Sequence, residues 1–425
     1  MKPQVDLLVY NCGELVTMAG PQGPRTGHYQ GRAGIVRDGA VAARDGVIVA
    51  AGPQAEVEAS VQLGPHAFAY DAQGQLVTPG LVDPHTHAVY AGSRQHELEL
   101  KLQGRSYLEI LEAGGGIHHT VRATRAAGRN RLQVATAARL RVMLEHGTTA
   151  VEIKSGYGLD LHHELEQLEV VAALQEHVPQ KLVATFLGAH AVPLEYGDQP
   201  GAYVDLVVGD MLPRVVGLAR YCDVFCERGA FTPQHTRRIL SRARELGMGL
   251  KLHADELSDL GGAELAAELG AVSADHLLCV SPPGIRALAR AGVIAVLLPG
   301  TSFYLGKPYA PARDLVEAGV PVALATDANP GSSPTENLQL VLNLACLYLR
   351  LTPAEALCAA TINAAHACGL GQELGSLEPG KRADLVVFRA PDHHYLGYHY
   401  GVNLVQAVFA GGRLVVESNQ KGEQF

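Results

Sequence analysis

Between residues 75 and 327 the chain alternates short, β-branched-rich apolar runs with longer stretches whose apolar positions recur every three to four residues. Runs of the first kind predict strands buried on both faces, and the second kind predicts amphipathic helices. The strand candidates are 76–83, 148–153, 182–187, 222–226, 249–252, 271–275, 293–298 and 322–326. Helix-like segments at 131–145, 162–177, 233–246, 260–269 and 282–291 lie between them. Eight strands separated by helices point to a parallel (β/α)8 barrel rather than an open sheet. No G-x-G-x-x-G follows the first strand, which weakens a doubly wound dinucleotide-binding fold.

The two ends have a different period. Residues 41–49 read as two strands about Asp45-Gly46, and residues 407–416 as two strands about Gly411-Gly412, with a further strand at 383–388. Neither end has enough strands to stand alone. Residues 1–75 and 372–425 are therefore expected to combine into one small β-sandwich domain beside a barrel domain over 76–371. The apolar run 338–349 suits core packing, or a contact with a second copy of the chain in a homodimer.

Composition narrows the partners. A net charge of −9 and the lack of any Lys/Arg block argue against nucleic acid, while leaving a small-molecule substrate open. No apolar run is long enough to span a bilayer, and the first residues lack the apolar core of a secretion signal, so no membrane is expected and the location reads as cytoplasmic. Seven cysteines form no regular framework and read as reduced, buried thiols.

Chemistry gathers where strands end, which is where barrel enzymes place their sites. His85-Thr-His87 ends the first strand run, and alternation along an extended backbone turns both imidazoles to one point, as a transition metal requires. Lys154 and Ser155-Gly-Tyr157-Gly follow the second strand, His190 the third and Glu227 the fourth. His253-Ala-Asp-Glu256 follows the fifth, His276 the sixth, and Asp327-Ala-Asn329-Pro-Gly331-Ser332 the eighth. Singly, each has a structural reading: His190 as a core histidine, Asp327 as a helix cap, Arg94 as a solvated charge, Tyr107 as a helix residue packed on the barrel. Together they read as one rim.

Three imidazoles (His85, His87, His253) and one carboxylate (Asp327) make a mixed N/O set suited to zinc or iron, with room for a water. Glu256, three residues beyond His253, is the natural proton shuttle, and His276 can hydrogen-bond a carbonyl oxygen or the nucleophile. Lys154 has no obvious second lysine to share a bridging role, so a structural or electrostatic role and a single metal ion are expected. Arg94 offers a guanidinium fork for a substrate carboxylate, and Tyr157, between two glycines, offers a hydroxyl, as does Tyr107. The long connection 92–128, with Gly114, Gly115 and Gly116 inside it, reads as a lid or as plain turns.

The motifs Leu-Val-Asp83-Pro-His85-Thr-His87, His253-x-x-Glu256, Asp275-His276 and Thr326-Asp327, with the tail Gly375-Ser-Leu-Glu-Pro-Gly-Lys-Arg-Ala-Asp-Leu-Val-Val-Phe, resemble the amidohydrolase superfamily over nearly the whole chain. The resemblance implies a distorted (β/α)8, TIM-like barrel with a small β-domain from both termini. It also implies His85, His87, His253 and Asp327 as ligands of one divalent or trivalent metal ion, zinc or iron, with Glu256, His276 and Asp327 in catalysis. Asp83-Pro-His-Thr-His-Ala-Val-Tyr-Ala-Gly-Ser-Arg94, Glu152-Ile-Lys-Ser-Gly-Tyr157-Gly, Gly188-Ala-His190 and Thr326-Asp-Ala-Asn-Pro-Gly-Ser-Ser333 are similar to one branch, the cyclic-amide hydrolases of histidine breakdown. That branch implies conversion of 4-imidazolone-5-propanoate to N-formimidoyl-L-glutamate, with Arg94, Tyr157, His190, Glu256, Asn329, Gly331 and Ser332 around the substrate. The rival readings are a deaminase or other cyclic amidohydrolase on the same scaffold, and a silent barrel acting as a binding protein. The complete ligand set opposes the last.

Overall fold

The computed structural model describes residues 2–105, 109, 115–197 and 199–418. Near the N-terminus run β1 (Gln4–Val16), β2 (Ile35–Arg44), β3 (Val47–Pro53), β4 (Gln62–Asp71) and β5 (Leu76–Pro79). The barrel strands follow: β6 (Leu81–Thr86), β7 (Thr148–Lys154), β8 (Lys181–Ala189), β9 (Tyr221–Cys226), β10 (Gly249–Ala254), β11 (Ser273–His276), β12 (Ile294–Leu297) and β13 (Val322–Leu324). Near the C-terminus come β14 (Leu385–Phe388), β15 (Val405–Ala410) and β16 (Arg413–Glu417).

Both termini share one mixed sheet in the order β16-β15-β14-β5-β1-β2-β3, with β4 also on β1. Its strands enclose a core of residues such as Leu7, Val41, Tyr70, Leu385 and Phe409, drawn from both ends of the chain, as a β-sandwich unit requires. The β2–β3 turn has Asp45 at φ 51° and Gly46 at φ 78°, both left-handed, which is the twist a two-residue hairpin loop needs. Gly411 and Gly412 do the same between β15 and β16.

The run 76–83, expected as one barrel strand, divides. Residues 76–79 pair with β1 and β14 in the terminal sheet, and β6 begins the barrel at Leu81. Gly80 is the cause: its N–H donates to the Asp384 carbonyl at 2.9 Å, and a Cβ there would lie 2.1 Å from Thr149 Oγ1. Only glycine lets the chain pass from one sheet to the other at that point.

The barrel strands lie side by side in chain order from β6 to β13. Every residue of β6 and of β7 is buried, as expected for parallel strands covered on both faces. Helices including Arg129–Glu145, Leu161–Gln175, Pro233–Glu245, Gly262–Leu269 and Pro282–Ala291 cover the outside, close to the predicted segments. Each fully buried leucine, isoleucine or phenylalanine in that layer contributes about 1.5–3 kcal/mol. The ring is completed beyond β13: Asp327 N donates to His85 O at 3.1 Å and His87 N to Ala328 O at 3.0 Å. Thr326 adds its N–H and hydroxyl to the buried Asp83 carboxylate.

The segment 338–349 forms the helix Leu338–Tyr348, with Leu338, Val341 and Leu342 buried and Leu347 and Tyr348 exposed. Of the connection 92–128, the helices Gln95–Leu102 and Ile117–Ala127 are described, whereas Tyr107 and Gly114 lie outside the described residues. Among the described residues no helix is long and apolar enough to cross a membrane.

Candidate metal centre and substrate rim

His85 and His87 leave the end of β6 on the same side, and His253 joins them from β10. One ring nitrogen from each lies within 4.8 Å of the others. His85 Nε2 is 3.3 Å from His87 Nε2, and Asp327 Oδ1 lies 3.6 Å from the first and 3.4 Å from the second. All four side chains are buried.

The opposite ring edges explain which nitrogens face inward. His85 Nδ1 is 2.6 Å from Asp275 Oδ2, and His253 Nδ1 is 3.0 Å from Asp223 Oδ2. A carboxylate accepts only, so at His85 Nδ1 carries the proton and Nε2 presents a lone pair, and the Asp223 carboxylate beside Nδ1 favours the same tautomer of His253. His253 Nε2 has no hydrogen-bond partner among the described residues. Ring nitrogens of three imidazoles and a carboxylate oxygen turned to one point make a donor set that suits a transition metal. The residues fit the ion.

Electrostatics act differently on the three rings. Burial, helped by the Lys154 charge, pulls the His85 imidazole well below its ordinary pKa, so it stays neutral. Burial also lowers His87 against the pull of Asp327. For His253 burial is outweighed by Asp223, and its pKa rises. Asp327 keeps its charge: burial opposes it, but His87 and the Thr301 hydroxyl, 2.6 Å away, hold it below the carboxylate range.

Beneath the histidines lies a dry ionic layer. Lys154 Nζ is 2.8 Å from Asp223 Oδ2, 3.0 Å from Glu152 Oε1 and 3.6 Å from Asp275 Oδ2, with no exposed surface on any of the four side chains. Those carboxylates outweigh burial and raise the Lys154 pKa. Lys251 Nζ sits 3.6 Å from Glu152 Oε2 and donates to the Pro84 carbonyl at 3.2 Å. Lys154 therefore ties together the two aspartates that orient His85 and His253. From the sequence Lys154 falls on the rim, but its carboxylate partners Glu152, Asp223 and Asp275, and Lys251 on the far side of Glu152, went unrecognised. Their signal was there: a lone charge inside an otherwise apolar parallel strand.

Around the cluster, His276 follows from β11, its ring centroid 5.2 Å from that of His253 and 5.5 Å from that of His85. Burial lowers its pKa to about 3. Glu256 Oε1 is 3.7 Å from His276 Nδ1, and burial, then the Asp327 charge, push the Glu256 pKa up to about 8. Asp255, His276, Leu277 and Asp327 all have φ between 50° and 76°, a left-handed conformation that costs non-glycine residues about 1–3 kcal/mol each. Such strain concentrates at working sites.

His190 stacks on His87 at 4.9 Å and holds Gly156 O at 3.0 Å through Nδ1. The buried Tyr157 ring lies 5.4 Å from His190, in a loop gripped by Glu164, whose carboxylate accepts from Gly156, Gly158 and Leu159 N–H. Arg94 gives Nε and Nη2 to the buried Glu97 at 2.9 and 2.8 Å. Its Nη1 occupies the space a Cβ on Gly331 would enter, 2.1 Å away, so a side chain there would displace the guanidinium from this rim. Asn329 is turned into its own loop: its amide nitrogen donates to Asp327 O and Ser332 Oγ, and its oxygen accepts from Gly331 and Ser332 N–H. Glu227 accepts from the loop that follows Glu256. A separate cavity of about 1050 Å³, lined among others by Arg141, Gln175, Gln180 and Arg382, includes none of these residues.

Comparison with known proteins follows the same lines. The Amidohydrolase family model matches residues 76–415. The imidazolonepropionase of Geobacillus kaustophilus (strain HTA426) is 53% identical over 418 residues, covering 97% of this chain and 99% of its own. That of Symbiobacterium thermophilum is 53% identical over 424 residues and covers 99% of each chain. Among solved structures, a zinc-bound adenosine deaminase from Xanthomonas campestris has a TM-score of 0.70 at 22% identity, covering 100% of this chain and 96% of that one. A 5-methylcytosine deaminase from Klebsiella pneumoniae has a TM-score of 0.72 at 18% identity, covering 98% and 100%. At those identities the structures establish a shared fold.

Proposed function

From the premise that the chain belongs to the amidohydrolase family, and within it to the imidazolonepropionases, we propose that it hydrolyses the cyclic amide of 4-imidazolone-5-propanoate to N-formimidoyl-L-glutamate in L-histidine degradation. The observation that carries this is the convergence of His85, His87, His253 and Asp327 on one point, with Glu256 beside it and Arg94 at the rim.

One transition-metal ion, zinc or iron, held by those four side chains would act as a Lewis acid and lower the pKa of a bound water toward ~7. Glu256 takes the proton from the attacking water and delivers it to the ring nitrogen. The carbonyl carbon gains the water oxygen, the C–N bond breaks, and the ring carbonyl becomes the new carboxylate. His276, neutral because it is buried, has a ring N–H to offer the carbonyl oxygen as charge develops there. Arg94 still has N–H groups beyond the two taken by Glu97, and these receive the propionate. Tyr157, His190, Asn329, Gly331 and Ser332 wall the substrate.

We place the enzyme in the cytoplasm, a reducing compartment in which its seven free cysteines remain thiols, and take a homodimer as its assembly.

The deciding experiment follows imidazolone consumption alongside elemental analysis and an ammonia assay. Ring opening is expected without ammonia, in step with zinc or iron content. Stoichiometric ammonia would make the protein a deaminase. A second expected result concerns Arg94→Ala: KM for the propanoate substrate rises about 10- to 100-fold through the lost charged hydrogen bonds, while metal content stays at the wild-type level. An unchanged KM would put Arg94 outside the pocket.

A further inference from the structure

Glu227 is buried, follows directly on β9 and has no place in the proton path, yet its carboxylate faces four donors. Oε2 accepts from Leu257 N at 2.8 Å and Ser258 N at 3.2 Å. Oε1 accepts from Arg228 N at 2.7 Å and from the Ser258 hydroxyl. The Leu257 N–H belongs to the same rigid peptide plane as the Glu256 carbonyl. Holding that N–H therefore fixes the plane from which the Glu256 side chain departs. The opposite edge of the plane is engaged as well, since Cys279 Sγ lies 3.6 Å from Glu256 O. On the N-terminal side, Asp255 is tied down by its own carboxylate, which accepts from Leu260, Gly262 and Ala263 N–H. Glu256 is thus a flexible carboxylate on a backbone pinned from the neighbouring strand.

We propose that Glu227 is a positioning residue: an acceptor-only brace that sets the direction of Glu256 toward the reacting centre. The inference rests on Glu256 carrying the proton, as proposed above. Glutamine at this position keeps the shape but turns an NH₂ toward backbone N–H donors, which opens the loop.

The test measures kcat, KM and metal content for Glu227→Gln, Ser258→Ala, Glu256→Gln and the Glu227/Glu256 double variant. A proton carrier displaced by about 1 Å costs up to ~100-fold in rate. Glu227→Gln is accordingly expected to lower kcat about 10- to 100-fold, with KM within about twofold and metal content unchanged. Ser258→Ala, which loses one contact to the brace, should lower kcat about 2- to 10-fold. In the Glu256→Gln background the Glu227 substitution should add nothing, because its effect runs through Glu256. Equal proportional losses in both backgrounds, or loss of metal in place of kcat, would overturn the proposal. If Glu227→Gln does not fold, the same cycle with Ser258→Ala decides. Glu256→Gln at wild-type turnover removes the proton carrier and this inference with it. A collapsed Glu256→Gln with an undisturbed Glu227→Gln sinks the brace alone.

Discussion

Glu256→Gln is expected to lower kcat by roughly 10²–10⁴-fold, the usual worth of a positioned acid–base group, in a protein that retains its metal and its melting temperature. The two side chains have nearly the same shape, so packing against the neighbouring loop is preserved. What is lost is the ability to take and give a proton. Burial and the Asp327 charge push the Glu256 carboxyl up to about 8, so the group favours its protonated form at neutral pH. A bound cation would draw that value back toward neutrality, the range in which both directions of transfer are fast. Steady-state kinetics with metal analysis of the same preparation provide the check. Near-wild-type turnover in a metal-loaded Gln variant would exclude Glu256 from proton transfer.

The second large effect lies beneath the site. Lys154→Met should destabilise the fold by about 3–5 kcal/mol, as removal of one partner from a buried ion pair does. Lys154 is the ammonium within 3.6 Å of Glu152, Asp223 and Asp275, and none of these carboxylates has solvent to turn to. Methionine fills the space but leaves three buried acids with Lys251 as compensation, 3.6 Å from Glu152. The cheapest response is protonation of an aspartate. That would remove the acceptor holding His253 or His85 in its metal-binding tautomer, with an expected 10- to 100-fold loss of metal affinity. Denaturant unfolding of the metal-free protein and competition against a chelator measure the two effects separately. A stability change below about 1 kcal/mol, the range of exposed ion pairs, would mean that water reaches this layer.

The strand-end rule and simple alternation made much of the centre legible in the sequence. His85 and His87 are two residues apart on an extended chain, and that spacing alone turns both rings one way. His253 and Asp327 follow other strand-like runs, so a barrel topology brings them to the same face. The pair that locks Arg94 to Glu97 was not legible, because an i,i+3 ion pair reads on any helix as a solvated contact until burial is known. Asn329 gains a second role. The resemblance puts it around the substrate, and the described loop shows what its sequence did not, that both ends of the amide also hold the loop together.

The sequence by itself determined the periods, and through them the strand and helix order, the rim residues and the kind of ion they suit. Tertiary structure alone decided how the run 76–83 divides at Gly80, because the contact with Thr149 comes from a strand about seventy residues away. It alone placed Lys154 among Glu152, Asp223 and Asp275, and set Glu227 against the loop after Glu256. Local pattern reports which face a side chain takes. Which charge it meets on the next strand depends on inter-strand register, and that is set by packing across the whole barrel.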